Sequence, residues 1–145
     1  MTKNFPLHEL THSITATNMG IKNAPGPGEL VKLERLAIYV LQPARDFLGF
    51  PIYVSSGYRC LMLNRAIGGA RYSQHMLGEA ADLKCANNKA LFDYIRNHLE
   101  FDQLIWEFGD DNNPDWVHVS FALGRNRKQV LRAIKKGKKT VYTPF

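Results

Sequence analysis

Two short stretches of this 145-residue chain hold side chains that can do chemistry together: Ser73-Gln74-His75-Met76-Leu77-Gly78-Glu79-Ala80-Ala81-Asp82 and Asp115-Trp116-Val117-His118. They supply two imidazoles and a carboxylate, His75, Asp82 and His118. Zinc takes such nitrogen and oxygen donors tetrahedrally, and a catalytic site with three protein ligands keeps its fourth position for water. Asp115 is a spare carboxylate that reaches such a water only if the backbone at 114–116 bends. A lone histidine is more often an interior or surface side chain; three donors with small residues between two of them form a far more particular pattern.

The elements that would position these donors follow from spacing. His75 and Asp82 are seven residues apart with Gly78 between them, so a loop, a bend and a strand bring them to one point more naturally than one helix face does. Ala80 to Cys85 alternates as a strand, with Asp82 sharing a face with Ala80 and Lys84. Trp116 to Phe121 alternates too: Trp116, His118 and Ser120 share one face while Val117, Val119 and Phe121 face a core. Strict alternation turns Asp115 to the opposite face from His118, and Pro114 suggests that the strand starts after it.

Along the rest of the chain, Phe5 to Leu10 and Thr15 to Gly20 read as short helical pieces. His8 and His12, four apart, lack a third ligand and read as surface residues. After the breaker cluster Ala24-Pro25-Gly26-Pro27-Gly28, an apolar stripe from Leu30 to Leu48 predicts a long helix kinked or divided at Pro43. Phe50 to Ser56 predicts a strand that ends in Ser56-Gly57-Tyr58-Arg59, so Arg59 sits where a sheet can aim it. Leu61 to Ala66 and Lys89 to Leu99 predict helices, the second capped by Asn87 or Asn88. Phe101 to Phe108 and Trp116 to Phe121, joined by a polar turn, predict an antiparallel pair. A last helix is predicted over 127–136, burying Val130, Leu131 and Ile134 and ending at Gly137.

Composition sets the class. With 45% apolar and 22% charged residues, the chain reads as one globular domain over 1–145, and no apolar run is long enough to span a bilayer. Met1 to Pro6 lacks the pattern of a signal peptide, so synthesis in the cytoplasm is expected. Two cysteines, Cys60 and Cys85, are too few for a disulfide scaffold and read as small core residues. The net charge of +6 is a feature of the C-terminus. Eight basic residues and no acidic one lie between Gly124 and Thr140, and the rest of the chain is slightly acidic. Such a patch attracts polyanions, or is simply a solvated helix face and tail. Without interleaved aromatic residues or a reading motif, stable nucleic-acid binding is not expected.

The first stretch matches S-x-H-x-x-G-x-A-x-D, the second matches [DE]-x-x-H, and Ser56-Gly57-Tyr58-Arg59 matches S-G-[YF]-R. Phe101 to Glu107 also resembles a stretch found in one branch of the same family. The sequence thus resembles, over roughly residues 5–135, the zinc D-Ala-D-Ala carboxypeptidases and the related phage endolysin peptidases. The resemblance implies an α+β fold of the hedgehog/D-Ala-D-Ala peptidase kind, an antiparallel sheet with flanking helices. It implies Zn²⁺ on His75, Asp82 and His118, Asp115 as general base, and Arg59 polarising or binding substrate, with Ser73 and Trp116 as further substrate contacts. The expected substrate is a peptidoglycan stem peptide, cut by a monomeric endolysin that reaches the wall after release, its basic tail touching anionic envelope polymers. Removal of a terminal D-Ala, or a non-catalytic zinc module of the wall or of a phage particle, are the alternatives.

Overall fold

The computed structural model describes residues 1–145. Six strands form one sheet: β1 (Ile52–Ser56), β2 (Ala80–Cys85), β3 (Gln103–Glu107), β4 (Trp116–Ser120), β5 (Gln129–Lys136) and β6 (Lys139–Pro144), in the order β1-β2-β4-β3-β5-β6. The sequence implies an antiparallel sheet; here β3 and β5 run parallel and the other neighbouring pairs antiparallel. Six helices accompany the sheet: α1 (Leu7–Thr11), α2 (Ile14–Met19), α3 (Pro27–Leu36), α4 (Gln42–Leu48), α5 (Leu61–Ala66) and α6 (Asn88–His98). The architecture is α+β, as the sequence implies.

Alternation decides the two sides of the sheet. Ala81 and Leu83, Leu104 and Trp106, and Val117 and Val119 are cross-strand partners on one side. They are buried with Leu33, Leu36, Val40 and Leu41 from the α3–α4 rod and Leu91, Phe92 and Ile95 from α6. Each fully buried side chain of this size contributes roughly 1.5–3 kcal/mol, so this side holds the fold together. The opposite side carries Asp82, His118, Ile105, Glu107 and Leu131, and it is the floor of an open cleft.

The division at Pro43 has a visible cause. Between α3 and α4 the rod passes through a π-helical turn, Ala37–Leu41, where the Gln42 N–H donates to the carbonyl of Ala37. Proline has no N–H to continue the usual ladder, and a wider turn just before it absorbs the mismatch. In α6, Asn87 is the cap, accepting the Ala90 N–H at 3.0 Å.

The last predicted helix is a strand. Residues 129–136 pair in parallel with β3 and antiparallel with β6, and the two-residue loop Gly137-Lys138 closes a hairpin. Val130, Leu131 and Ile134 fit helical spacing, but β3 offers an unpaired edge, and satisfying those backbone groups outweighs the local pattern. Gly137, at φ 64°, makes a hairpin turn rather than a helix end. The chain end is not a frayed tail. Phe145 donates its N–H to the Val130 carbonyl at 3.1 Å and packs its ring on Phe92 and Trp106.

Candidate metal centre and cleft

His75 stands in a single 3-10 turn, Gln74–Leu77, between α5 and β2. Ser73 caps that turn, its hydroxyl accepting the His75 N–H at 3.2 Å. Gly78 ends it in the left-handed conformation, φ 75°, with its Cα hard against α3: an added Cβ would lie 2.6 Å from the Glu29 carbonyl oxygen. Only glycine meets both demands. The chain then enters β2, and Asp82 pairs across the sheet with His118 of β4.

The three donors converge. His118 Nδ1 lies 3.0 Å and His75 Nε2 3.5 Å from Asp82 Oδ1, and one ligand atom from each residue lies within 4.8 Å of the others. Tetrahedral zinc with bonds near 2.0–2.1 Å needs donors about 3.3 Å apart, so the donor set fits the metal with little movement. His75 Nδ1 faces the Gly57 carbonyl at 2.8 Å. A carbonyl only accepts, so Nδ1 carries the hydrogen and Nε2 is left with its lone pair toward the site. An added Cβ on Gly57 would fall 2.2 Å from the Leu10 carbonyl oxygen, which explains glycine beside the tyrosine and arginine of that loop.

Electrostatics favour the metal-binding protonation states. Burial pulls the His75 imidazole below its ordinary value, against the Asp82 carboxylate, so the ring is neutral at neutral pH. Burial alone would raise the Asp82 carboxyl, but the His118 hydrogen bond and the adjoining His75 ring together outweigh it and hold Asp82 well below the usual carboxylate range. Arg59 adds a cation: its Nη2 is 3.5 Å from Asp82 Oδ2, while Ser56 and Asn64 hold its other nitrogens at 3.0 and 3.2 Å. Ser73, Arg59 and Trp116 all line the cleft, which encloses about 1230 Å³.

Asp115 does not join them. Its residue is exposed, outside the cleft lining, and its N–H donates to the Glu107 carbonyl at 2.9 Å. Asn88 holds the carbonyls of Pro114 and Asp115, and the bend at Asp115, just before β4, does not carry its side chain into the cleft. Asp115 thus stands outside β4, exposed, and does not line the cleft beside His118.

The carboxylate that does enter the cleft is Glu107, only 7% exposed, at the end of β3. Its cross-strand partner is Trp116, so it shares the face of His118. Burial lifts its carboxyl to about 7; His118 opposes the rise and Asp82 adds to it. The sequence signal was present: Glu107 closes the Phe101–Glu107 stretch, and period-two alternation from Gln103 and Ile105 puts it on the cleft side. Sequence reasoning also missed Asp102. Buried, it receives two hydrogen bonds from the Arg127 guanidinium at 2.9 Å and one from Gln74, next to His75, at 2.8 Å.

This arrangement has relatives. A family model described as Peptidase M15 matches residues 3–120. The chain belongs to the Peptidase M15 family. The whole His-Asp-His group of this M15 peptidase lies within the matched residues, and β5 and β6 lie beyond them. Over 93 residues the M15 domain is 36% identical to the zinc D-Ala-D-Ala carboxypeptidase of Streptomyces albus G, an alignment covering 62% of this chain. It spans only 36% of that relative's length.

Proposed function

We propose that this chain is a zinc peptidase that hydrolyses a peptide bond in bacterial peptidoglycan. The observation that carries the reading is the convergence of His75, Asp82 and His118 beside a buried glutamate in an open cleft. His75 through Nε2, Asp82, and His118 through Nδ1 would hold the metal. Zinc, when bound, acidifies a water and polarises a carbonyl. Glu107, in place of Asp115, accepts the proton of the attacking water at its carboxylate and returns it to the departing amine nitrogen. Arg59 keeps Asp82 oriented and offers positive charge to the oxygen on which negative charge develops. Gly57 fixes the tautomer and plane of His75 by accepting its Nδ1–H.

An endopeptidase cut of the endolysin kind is the first reading, by motif. Removal of a terminal D-Ala is the second, favoured by the name of the Streptomyces relative. No helix of the chain is long and apolar enough to cross a membrane. Of the eight basic residues near the C-terminus, Arg125, Arg127, Lys128 and Arg132 pair with Glu79, Asp102, Glu100 and Asp111. That leaves Lys136, Lys138 and Lys139 at the β5–β6 turn for an anionic envelope polymer, rather than a whole basic tail. The test is digestion of purified walls with and without zinc, with mass analysis of the released fragments. Chelator-sensitive release of peptides with one new terminus supports the reading and tells the two cuts apart; wall binding without release contradicts it.

A further inference from the structure

The β5–β6 hairpin lies beyond the matched family residues, yet it forms one wall of the cleft, contributing Leu131, Lys135, Thr140 and Tyr142. Sheet register places it closely. Trp116 pairs with Glu107, Glu107 with Ala133, and Ala133 with Tyr142, so these four form one row on the cleft side. Strands are spaced about 4.8 Å, which sets the Glu107 and Tyr142 backbones roughly 10 Å apart with only a methyl group between them. A phenol spans most of that gap. Glu107 and Asp82 both act on Tyr142 electrostatically, after burial, in raising its hydroxyl above the ordinary value. The hydroxyl makes no hydrogen bond within the chain, and the residue is 53% exposed, so it is open to a ligand.

The next row outward pairs Lys135 with Thr140. Lys135 Nζ donates to Thr140 Oγ1 at 3.1 Å and lies 5.2 Å from the ring centre of Phe108. Phe108 follows Glu107 and holds φ at 58°, a left-handed conformation uncommon for a side chain of its size, which turns its ring against Trp116 in the cleft. Four cations line the cleft. Arg59, Arg125 and Arg127 each face a carboxylate of the protein; Lys135 faces none. Tyr142 and Lys135 are diagonal neighbours across the hairpin, close enough for long side chains to meet one group.

We propose that Lys135 and Tyr142 form a carboxylate-binding corner beside Glu107, selecting peptides with a free carboxylate within a few residues of the bond that is cut. This deepens the peptidase reading and rests on it. The ammonium supplies charge, the phenol a directed donor, and Thr140 with the Phe108 ring holds the lysine in place.

Two pairs of synthetic peptides test it: diacetyl-L-Lys-D-Ala-D-Ala and its carboxamide, and γ-linked L-Ala-D-Glu-L-Lys-amide, with the glutamyl α-carboxylate free, and its glutamyl α-carboxamide. For the pair that the zinc-loaded protein cuts, kcat/KM is expected to favour the acid by about tenfold, through KM, as one charged hydrogen bond would give. Lys135→Arg should keep that ratio, Lys135→Gln bring it near one, Lys135→Glu invert it, and Tyr142→Phe reduce it in part. Calorimetric titration of the metal-free protein with the same peptides should show the acid binding more tightly, with the difference lost in Lys135→Gln. Equal handling of acid and amide by the parent protein, or an acid preference surviving Lys135→Glu, overturns the corner. Failure to cut either pair counts against the peptidase reading instead, and the metal-free titration still decides the corner.

Discussion

At the scale of single residues, the proposed chemistry turns on where two carboxylates, Glu107 and Asp115, stand. Both are carboxylates near His118 in sequence or space, but only Glu107 is inside the cleft. Glu107→Gln should leave zinc binding intact and lower turnover by about 10²–10⁴-fold, the range of a lost general base. Asp115→Asn should turn over at close to the parental rate, and a steady-state assay beside metal analysis compares the two. Glu107 also gives the metal-free protein a pH signature. Its carboxyl sits at about 7 in the fold against an ordinary 4.5, because burial disfavours the charge. Between those values the folded state holds a proton that the unfolded chain releases, so stability falls as pH rises through that window. Urea denaturation of metal-free Glu107→Gln should show that slope removed. The three metal donors were legible because their types are few and their spacing particular. Asp115 misled because its motif position outweighed the alternation that turns it from His118; it precedes β4 at an exposed bend, whereas Glu107 lies within β3 on the cleft side.

Among the elements, the 3-10 turn carrying His75 is held from both ends. Gly78→Ala would force a Cβ into both a left-handed backbone and the Glu29 carbonyl, and should cost roughly 2 kcal/mol or more in urea denaturation. Asp102 braces the same turn through Gln74. Hydrogen bonds from Arg127 come first in holding its carboxyl down to about 2, against an ordinary 3.8. This contribution is present above pH 3.8 and is lost as pH falls through 2. With Arg127 largely exposed, Asp102→Asn should destabilise by only about 1–2 kcal/mol at pH 7, with the difference from the parent vanishing near pH 2. Strand β2 and helices α5 and α6 could be read from alternation, caps and periodicity, since each is decided by its own residues. Strand β5 could not: Val130, Leu131 and Ile134 satisfy helical spacing, and what decides between helix and strand is the edge of β3, far away in sequence.

At the scale of the whole molecule, one sheet separates two duties. Its helix side is close-packed and apolar, and its other side holds polar groups that a core could not accommodate. His75, Asp82 and His118 come from the 3-10 turn, β2 and β4, so a bound zinc would tie together segments that the core joins only on the far side. Zinc at a hundred times its dissociation constant should stabilise the fold by about 2.7 kcal/mol, and chelation should lower the melting temperature accordingly. His118→Ala should abolish that dependence. The central claim is most directly tested by X-ray absorption at the zinc edge of the loaded protein. The account predicts four light neighbours at about 2.0–2.1 Å, with the multiple scattering of two imidazoles. A sulfur neighbour near 2.3 Å, or a spectrum left unchanged by His118→Ala, would contradict it.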